Sequence, residues 1–253
     1  MPIIYAVVHI GGKIMRQVST LRKMSLIFGF ALAAFGCDMN IAQLPNAHKE
    51  VLAARYSYGA SGEFLAKTEY ERDANGNLTK WMNYIANGEL YDYSEFEHNS
   101  KGTLTKWNDY TANGELSSYY ECEYDFQGNN TKWRKYTANG ELLCYCEIEY
   151  DSNGNDTKWS FYHADGELDY KLEYEYDSEG NETKAAYHDN ALSSYTEFEY
   201  DSNGNWTKWR AYTVNGELID YGELEYDSNG NETKSSVYNA NGELCGYTVY
   251  LYI

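Results

Sequence analysis

The chain has 253 residues, 28 of them tyrosine, and a formal net charge of −19. That balance argues against nucleic acid or an anionic membrane surface as a partner, since both would repel it. The acidic excess lies entirely beyond residue 36, because Met1–Gly36 carries Lys13, Arg16, Arg22 and Lys23 and no Asp or Glu.

At the N-terminus, Arg16, Arg22 and Lys23 precede an apolar run from Leu26 to Phe35, and a polar stretch to Glu50 follows Gly36-Cys37. A basic segment, a short apolar run and small residues before a cleavage point make a secretory signal peptide, and the run is too short to span a bilayer. The predicted organisation is a signal peptide over 1–36, a polar linker over 37–53 and a repeat array over 54–253. Translation from Met15 or Met24 would remove residues 1–14 and fit the signal better. The segment Ala34-Phe35-Gly36-Cys37 resembles a bacterial lipoprotein signal. The resemblance implies lipid attachment at Cys37, export, and a membrane partner reached through that anchor.

From about Tyr70 a 26-residue unit recurs seven times, with turn glycines at Gly76, Gly102, Gly128, Gly154, Gly180, Gly204 and Gly230 and one step shortened to 24. Such a period marks a repeat architecture whose units pack on their neighbours. Each unit holds two turn signals, typified by Asp151-Ser152-Asn153-Gly154-Asn155 and Ala138-Asn139-Gly140-Glu141-Leu142. Asn-Gly between alternating stretches predicts a two-residue type I′ hairpin. A turn centred on Asn153-Gly154 sets Glu149 opposite Lys158, Ile148 opposite Trp159 and Tyr150 opposite Thr157. The same spacing sets Glu123 opposite Lys132 and recurs in every unit, each pair contributing roughly 0.2–1 kcal/mol.

This register predicts one wet face of Glu and Lys and one packed face carrying Trp81, Trp107, Trp133, Trp159 and Trp209. Tyr84, Tyr110, Tyr136 and Tyr162 fall on the wet parity. They are candidates for stacking on sugar rings or gripping an extended peptide, or else they pack the sheet. The shortened unit, Gly180 to Leu192, is expected to pair irregularly. Gly59 to Asp73 is a half unit. The last strand, Tyr247 to Ile253, places Val249 and Leu251 where other units have glutamates, so that edge is either covered or used for pairing with another chain.

Little points to chemistry. Cys122, Cys144, Cys146 and Cys245 share no repeat position, and no zinc-type spacing accompanies Cys144-x-Cys146; buried thiols or a disulfide are the two readings. Asp-x-Asn-Gly-Asn lacks the glycine placement of an EF-hand. The carboxylate pair Glu147 and Glu149 recurs in near-identical copies, whereas a catalytic pair needs one asymmetric environment. His9, His48, His98, His163 and His188 have no triad context. No enzyme activity, cofactor or metal is expected.

The run Tyr-x-Tyr-Asp-x-x-Gly-Asn-x-Thr at Tyr174 to Thr183 resembles the YD repeat of the RHS family. The resemblance implies a spiral of β-hairpins, and large toxins of that family enclose a C-terminal effector in a hollow shell. Here the strands are too few for a large shell and the repeats run to Ile253. The expected fold is all-β: about seven antiparallel hairpin repeats, some fourteen strands, in a curled or spiral elongated sheet about 65 Å long if flat. The expected role is a non-catalytic cell-envelope lipoprotein acting as a binding or spacing scaffold for a carbohydrate, matrix or protein ligand. The alternatives are a structural protein self-associating through its apolar last strand, or a fragment of an RHS toxin system.

Overall fold

The computed structural model describes residues 51–189 and 193–253, so the signal segment, Cys37 and the shortened turn at 190–192 lie outside the described residues. The first eight strands are β1 Leu52–Gly59, β2 Phe64–Arg72, β3 Leu78–Ile85, β4 Leu90–His98, β5 Leu104–Thr111, β6 Leu116–Tyr124, β7 Asn130–Thr137 and β8 Leu142–Tyr150. The second eight are β9 Asp156–His163, β10 Leu168–Tyr176, β11 Glu182–Asp189, β12 Ser193–Tyr200, β13 Trp206–Thr213, β14 Leu218–Tyr226, β15 Glu232–Asn239 and β16 Leu244–Tyr252. Each pairs antiparallel with its chain neighbours, and β16 pairs with β1, so the sheet is a closed barrel.

Closure corrects the expectation of an open, curled sheet of seven hairpins. The missing partner is β1, which lacks the YD signature but matches the second strand of a unit. Tyr58 and Gly62-Glu63-Phe64 stand where another unit has Tyr136 and Gly140-Glu141-Leu142. An eighth hairpin is thus split between the two ends of the repeat array, and right-handed strand twist carries the ends together. Val51 N–H donates to the Ile253 carbonyl at 2.9 Å and Ile253 N–H returns a bond to Val51 at 3.1 Å. Across this seam Ala54 faces Leu251 and Tyr56 faces Val249, apolar pairs in place of the usual charged ones. The last strand is therefore no free edge for self-association; β1 covers it.

The turns differ from the predicted type I′ as well. Among the described residues positive φ is confined to glycine. At Gly154 (φ +91°) the backbone makes Gly154 N–H to Asp151 carbonyl and Asp151 N–H to Asn155 carbonyl bonds, a type I turn closed by a glycine bulge. Tyr150 consequently faces Asp156 rather than Thr157, while Glu149↔Lys158 and Ile148↔Trp159 keep the expected register. Asp151 builds the turn: Oδ1 accepts from Asn153 and Asn155 N–H at 2.8 and 2.9 Å, and Oδ2 from Asn155 Nδ2 at 3.0 Å. The tyrosine before it ties hairpins together. Tyr150 Oη donates to the Asn130 carbonyl at 2.8 Å, and Tyr124, Tyr176 and Tyr226 repeat the bond twenty residues back.

The shortened unit corrects another expectation. β11 and β12 pair from Lys184↔Glu197 to His188↔Ser193 without a register shift, whereas the equivalent β13–β14 ladder shifts between Ala211 and Tyr212. Its two deletions remove the bulge and leave a regular ladder.

The tryptophan face points inward. Phe96, Trp107, Tyr120, Trp133, Ile148, Phe161 and Leu172 form a buried cluster along β4–β10, with Trp107 and Tyr120 stacked at 4.1 Å. Cys146 is fully buried, and burial pushes its thiol pKa up; Cys122, Cys144, Cys146 and Cys245 are all free thiols. Farther round, the inner face turns small and polar, with Thr68, Ser94, Ser194, Thr196 and Asp220 all buried.

Glu182 opens β11 on this inner face, and one of its carboxylate oxygens is buried without a hydrogen-bond partner. Burial, reinforced by the nearby charge of Asp156, pushes its pKa up to about 8. The folded chain therefore holds a proton that the unfolded chain releases near pH 4.5, so this contribution to stability is fully present in acid and lost as pH rises to 8. Glu182→Gln is expected to remove that dependence. Urea titrations at pH 5 and pH 9 should show the variant gaining about 4 kcal/mol relative to wild type over this interval.

Candidate functional site

The outer face is built from the Glu–Lys parity. Lys158 and Glu149 lie 2.8 Å apart, Lys106 and Glu97 2.9 Å, and Lys234 and Glu225 3.1 Å. Glu123 and Lys132 face each other in register, yet their side chains part: Glu123 pairs with Arg134, and Lys132 reaches Glu147 on the following strand at 2.7 Å. Lys80, Lys132, Lys158, Lys184 and Lys208 each stand between two flanking glutamates and take one of them, whereas Lys234 has Glu225 on one side and Val249 on the other.

Next along each strand comes a belt of tyrosines. Tyr110 stacks on Tyr93 (4.8 Å, 11°), Tyr136 on Tyr119 (5.0 Å, 16°) and Tyr162 on Tyr145 (4.7 Å, 12°). Tyr212 on Tyr195, Tyr238 on Tyr221 and, across the seam, Tyr58 on Tyr247 continue the ring. Tyr84 faces Lys67, whose ammonium lies 5.6 Å from its ring, and the eighth position is Lys171 opposite His188. The four predicted tyrosines are thus outward and half-buried, and three of them have one ring face taken by a partner, worth about 0.5–1.5 kcal/mol per stack.

Between successive stacks run shallow grooves, and lysines fill most of them. Lys80 lies over Tyr93 at 4.1 Å, Lys132 over Tyr145 at 4.4 Å, Lys184 over Tyr195 at 5.0 Å, Lys208 over Tyr221 at 4.8 Å and Lys234 over Tyr247 at 5.6 Å. Tyr119 is the exception. Lys106, which holds the equivalent place, turns back to Glu97 with its side chain half exposed. Here the β5–β6 ladder stops at Trp107↔Tyr120, one pair short of the Lys80↔Glu95 and Lys132↔Glu147 pairs of its neighbours. The result is a groove of about 490 Å³ bounded by Tyr110, Tyr119, Asn108, Leu116, Glu121 and Lys106.

Sequence reasoning placed Tyr110 here and missed Tyr119 and Glu121. The signal was available, because Tyr93, Tyr119, Tyr145, Tyr195, Tyr221 and Tyr247 also recur with the repeat, opposite the predicted set. Among the described residues no three or more His, Cys, Asp or Glu side chains converge as a metal site.

Below the belt, inside the barrel, Asp109 accepts hydrogen bonds from Ser94 Oγ (2.7 Å), Trp107 Nε1 (2.8 Å) and Ser118 Oγ (2.8 Å), and Lys135 lies 3.5 Å away. Both side chains are less than a fifth exposed. Burial pulls the lysine pKa down and Asp109 opposes that shift.

Fold and surface together define an antiparallel barrel of sixteen strands, with an aromatic cluster and buried polar groups within and ion pairs without. Solved structures of similar fold include a porin-like protein from Bacteroides uniformis ATCC 8492, with a TM-score of 0.56 at 10% identity over 80% of this chain and 98% of that one. A porin-like protein from Bacteroides vulgatus ATCC 8482 gives 0.51 at 11% identity, over 81% and 99%. The TcdB2-TccC3 complex gives 0.32 at 15% identity, and the match spans 14% of that chain, a likeness too slight to place this chain in the RHS family. No family model matches the chain. No curated protein matches it either.

Proposed function

We propose that this chain is a non-catalytic, exported module of the bacterial cell envelope, tethered through lipid on Cys37, whose barrel offers its outer tyrosine belt as a binding or spacing surface. The observation that supports it most is the outer face itself. A bilayer-spanning barrel presents an apolar band to lipid, whereas mid-strand positions here carry Lys–Glu pairs such as Lys158–Glu149 and Lys208–Glu223. The barrel therefore sits in water beside the membrane, and the porin-like likeness concerns backbone architecture. The outward tyrosines and the lysines over them recur around one ring, which suits linked ligands that reach several units, since linkage raises avidity without new contacts.

Two readouts test this reading on protein recovered from its native cells. The N-terminal peptide is expected to have the mass of a diacylglycerol-modified Cys37, and washed envelopes stripped of the protein are expected to rebind it. An unprocessed chain in the soluble fraction that ignores envelopes would overturn the proposal.

A further inference from the structure

The repeat supplies its own model of what the open groove holds. In five equivalent grooves a lysine ammonium lies 4.1–5.6 Å over the outer tyrosine. In three of these the same lysine also meets the glutamate of the following strand at 2.7–3.1 Å: Lys80–Glu95, Lys132–Glu147 and Lys208–Glu223; Lys184 and Lys234 pair instead with Glu175 and Glu225 on the preceding strand. The β5–β6 groove has the same tyrosine (Tyr119) and the same glutamate (Glu121), but its lysine is engaged with Glu97. From this we infer that the β5–β6 groove is a socket for a lysine side chain presented by a partner polypeptide, which completes from outside the contact the other grooves make within the chain. The inference rests on the reading of the outer belt as a binding surface.

The chemistry fits the lining. The Tyr119 face attracts a cation through its quadrupole, and exposed Glu121, which also accepts a hydrogen bond from the Tyr136 hydroxyl, offers a carboxylate at the position of Glu147. Leu116, more than a third exposed, gives the methylene stem an apolar wall. The net charge of −19 draws cationic partners towards the barrel. Lys106, which lines the groove, is placed to swing over Tyr119 in competition.

Calorimetric titration of the full chain with acetyl-Ala-Lys-Ala-amide tests the socket, with a norleucine peptide and n-butylammonium chloride as controls. The lysine peptide is expected to bind saturably and the norleucine peptide not to bind. Tyr119→Leu should weaken binding at least about fivefold, equivalent to about 1 kcal/mol, and Tyr119→Phe should retain it. Glu121→Gln, a change on an exposed side chain, should weaken binding without touching the fold, while Lys106→Met should tighten it. Tyr221→Leu, at a face already covered by Lys208, should change nothing. Equal binding of the norleucine peptide, or equal losses in Tyr119→Leu and Tyr221→Leu, would overturn the socket. Butylammonium binding as tightly as the peptide would overturn the polypeptide source. If the envelope rebinding described above persists while the lysine peptide fails to bind, only this inference falls.

Discussion

Deletion of residues 51–59 is expected to turn a closed barrel into an associating, poorly folded sheet. The segment contains β1, which hydrogen-bonds to β2 on one side and β16 on the other. Without it, two strands gain open edges, and the β16 edge carries Val249 and Leu251 outward. Unpaired edges with apolar side chains recruit other chains, so sedimentation should show oligomers and thermal unfolding should lose its single sharp transition. A synthetic peptide covering residues 51–62 should restore the monomer, because the split hairpin is joined to β16 by pairing alone. Gly246→Val probes the same seam more gently. A Cβ there would lie 2.8 Å from the Tyr58 carbonyl oxygen, and forcing backbone apart in a closed barrel should cost about 2–3 kcal/mol. A deletion variant that stays monomeric with an unchanged melting temperature would show that seven hairpins suffice.

The second large effect concerns Asp109. Its carboxylate accepts from two serines and a tryptophan beside Lys135, on the buried side of the sheet. Asp109→Ala leaves three donors short of an acceptor and the lysine charge without that carboxylate, a change expected to cost about 3–5 kcal/mol in urea unfolding. The paired change Asp109→Leu with Lys135→Met removes both charges together and should recover the part of the loss due to the unpaired lysine, while Ser94, Ser118 and Trp107 stay short of an acceptor. Double-mutant coupling near zero would mean that the two groups do not act as a pair.

These two sites show where sequence reading succeeds and where it stops. The Glu149–Lys158 register, the inward tryptophans and the outward parity of Tyr84, Tyr110, Tyr136 and Tyr162 follow from local pattern. Side chains alternate strictly along a strand, and a turn of fixed length sets which residues meet. The turn type was misjudged because Asn-Gly serves both the two-residue hairpin and the glycine-bulge turn, and only the Tyr150↔Asp156 offset separates them.

Closure could not be read in the same way. β1 carries neither the Tyr-Asp nor the Gly-Asn signal, and whether an array of hairpins stays open or meets its own end depends on twist summed over sixteen strands rather than on any one unit. The open groove is a tertiary fact too. Lys106 occupies the same repeat position as Lys80 and Lys132, yet it pairs with Glu97 on the preceding strand where they pair with the glutamate of the following one. The sequence by itself determined the hairpin, its two faces and its register, because these are short-range consequences of alternation and turn chemistry. Only the tertiary structure decided that the hairpins close into a ring and that one tyrosine face in that ring stands uncovered, because both depend on contacts between units that no single repeat encodes.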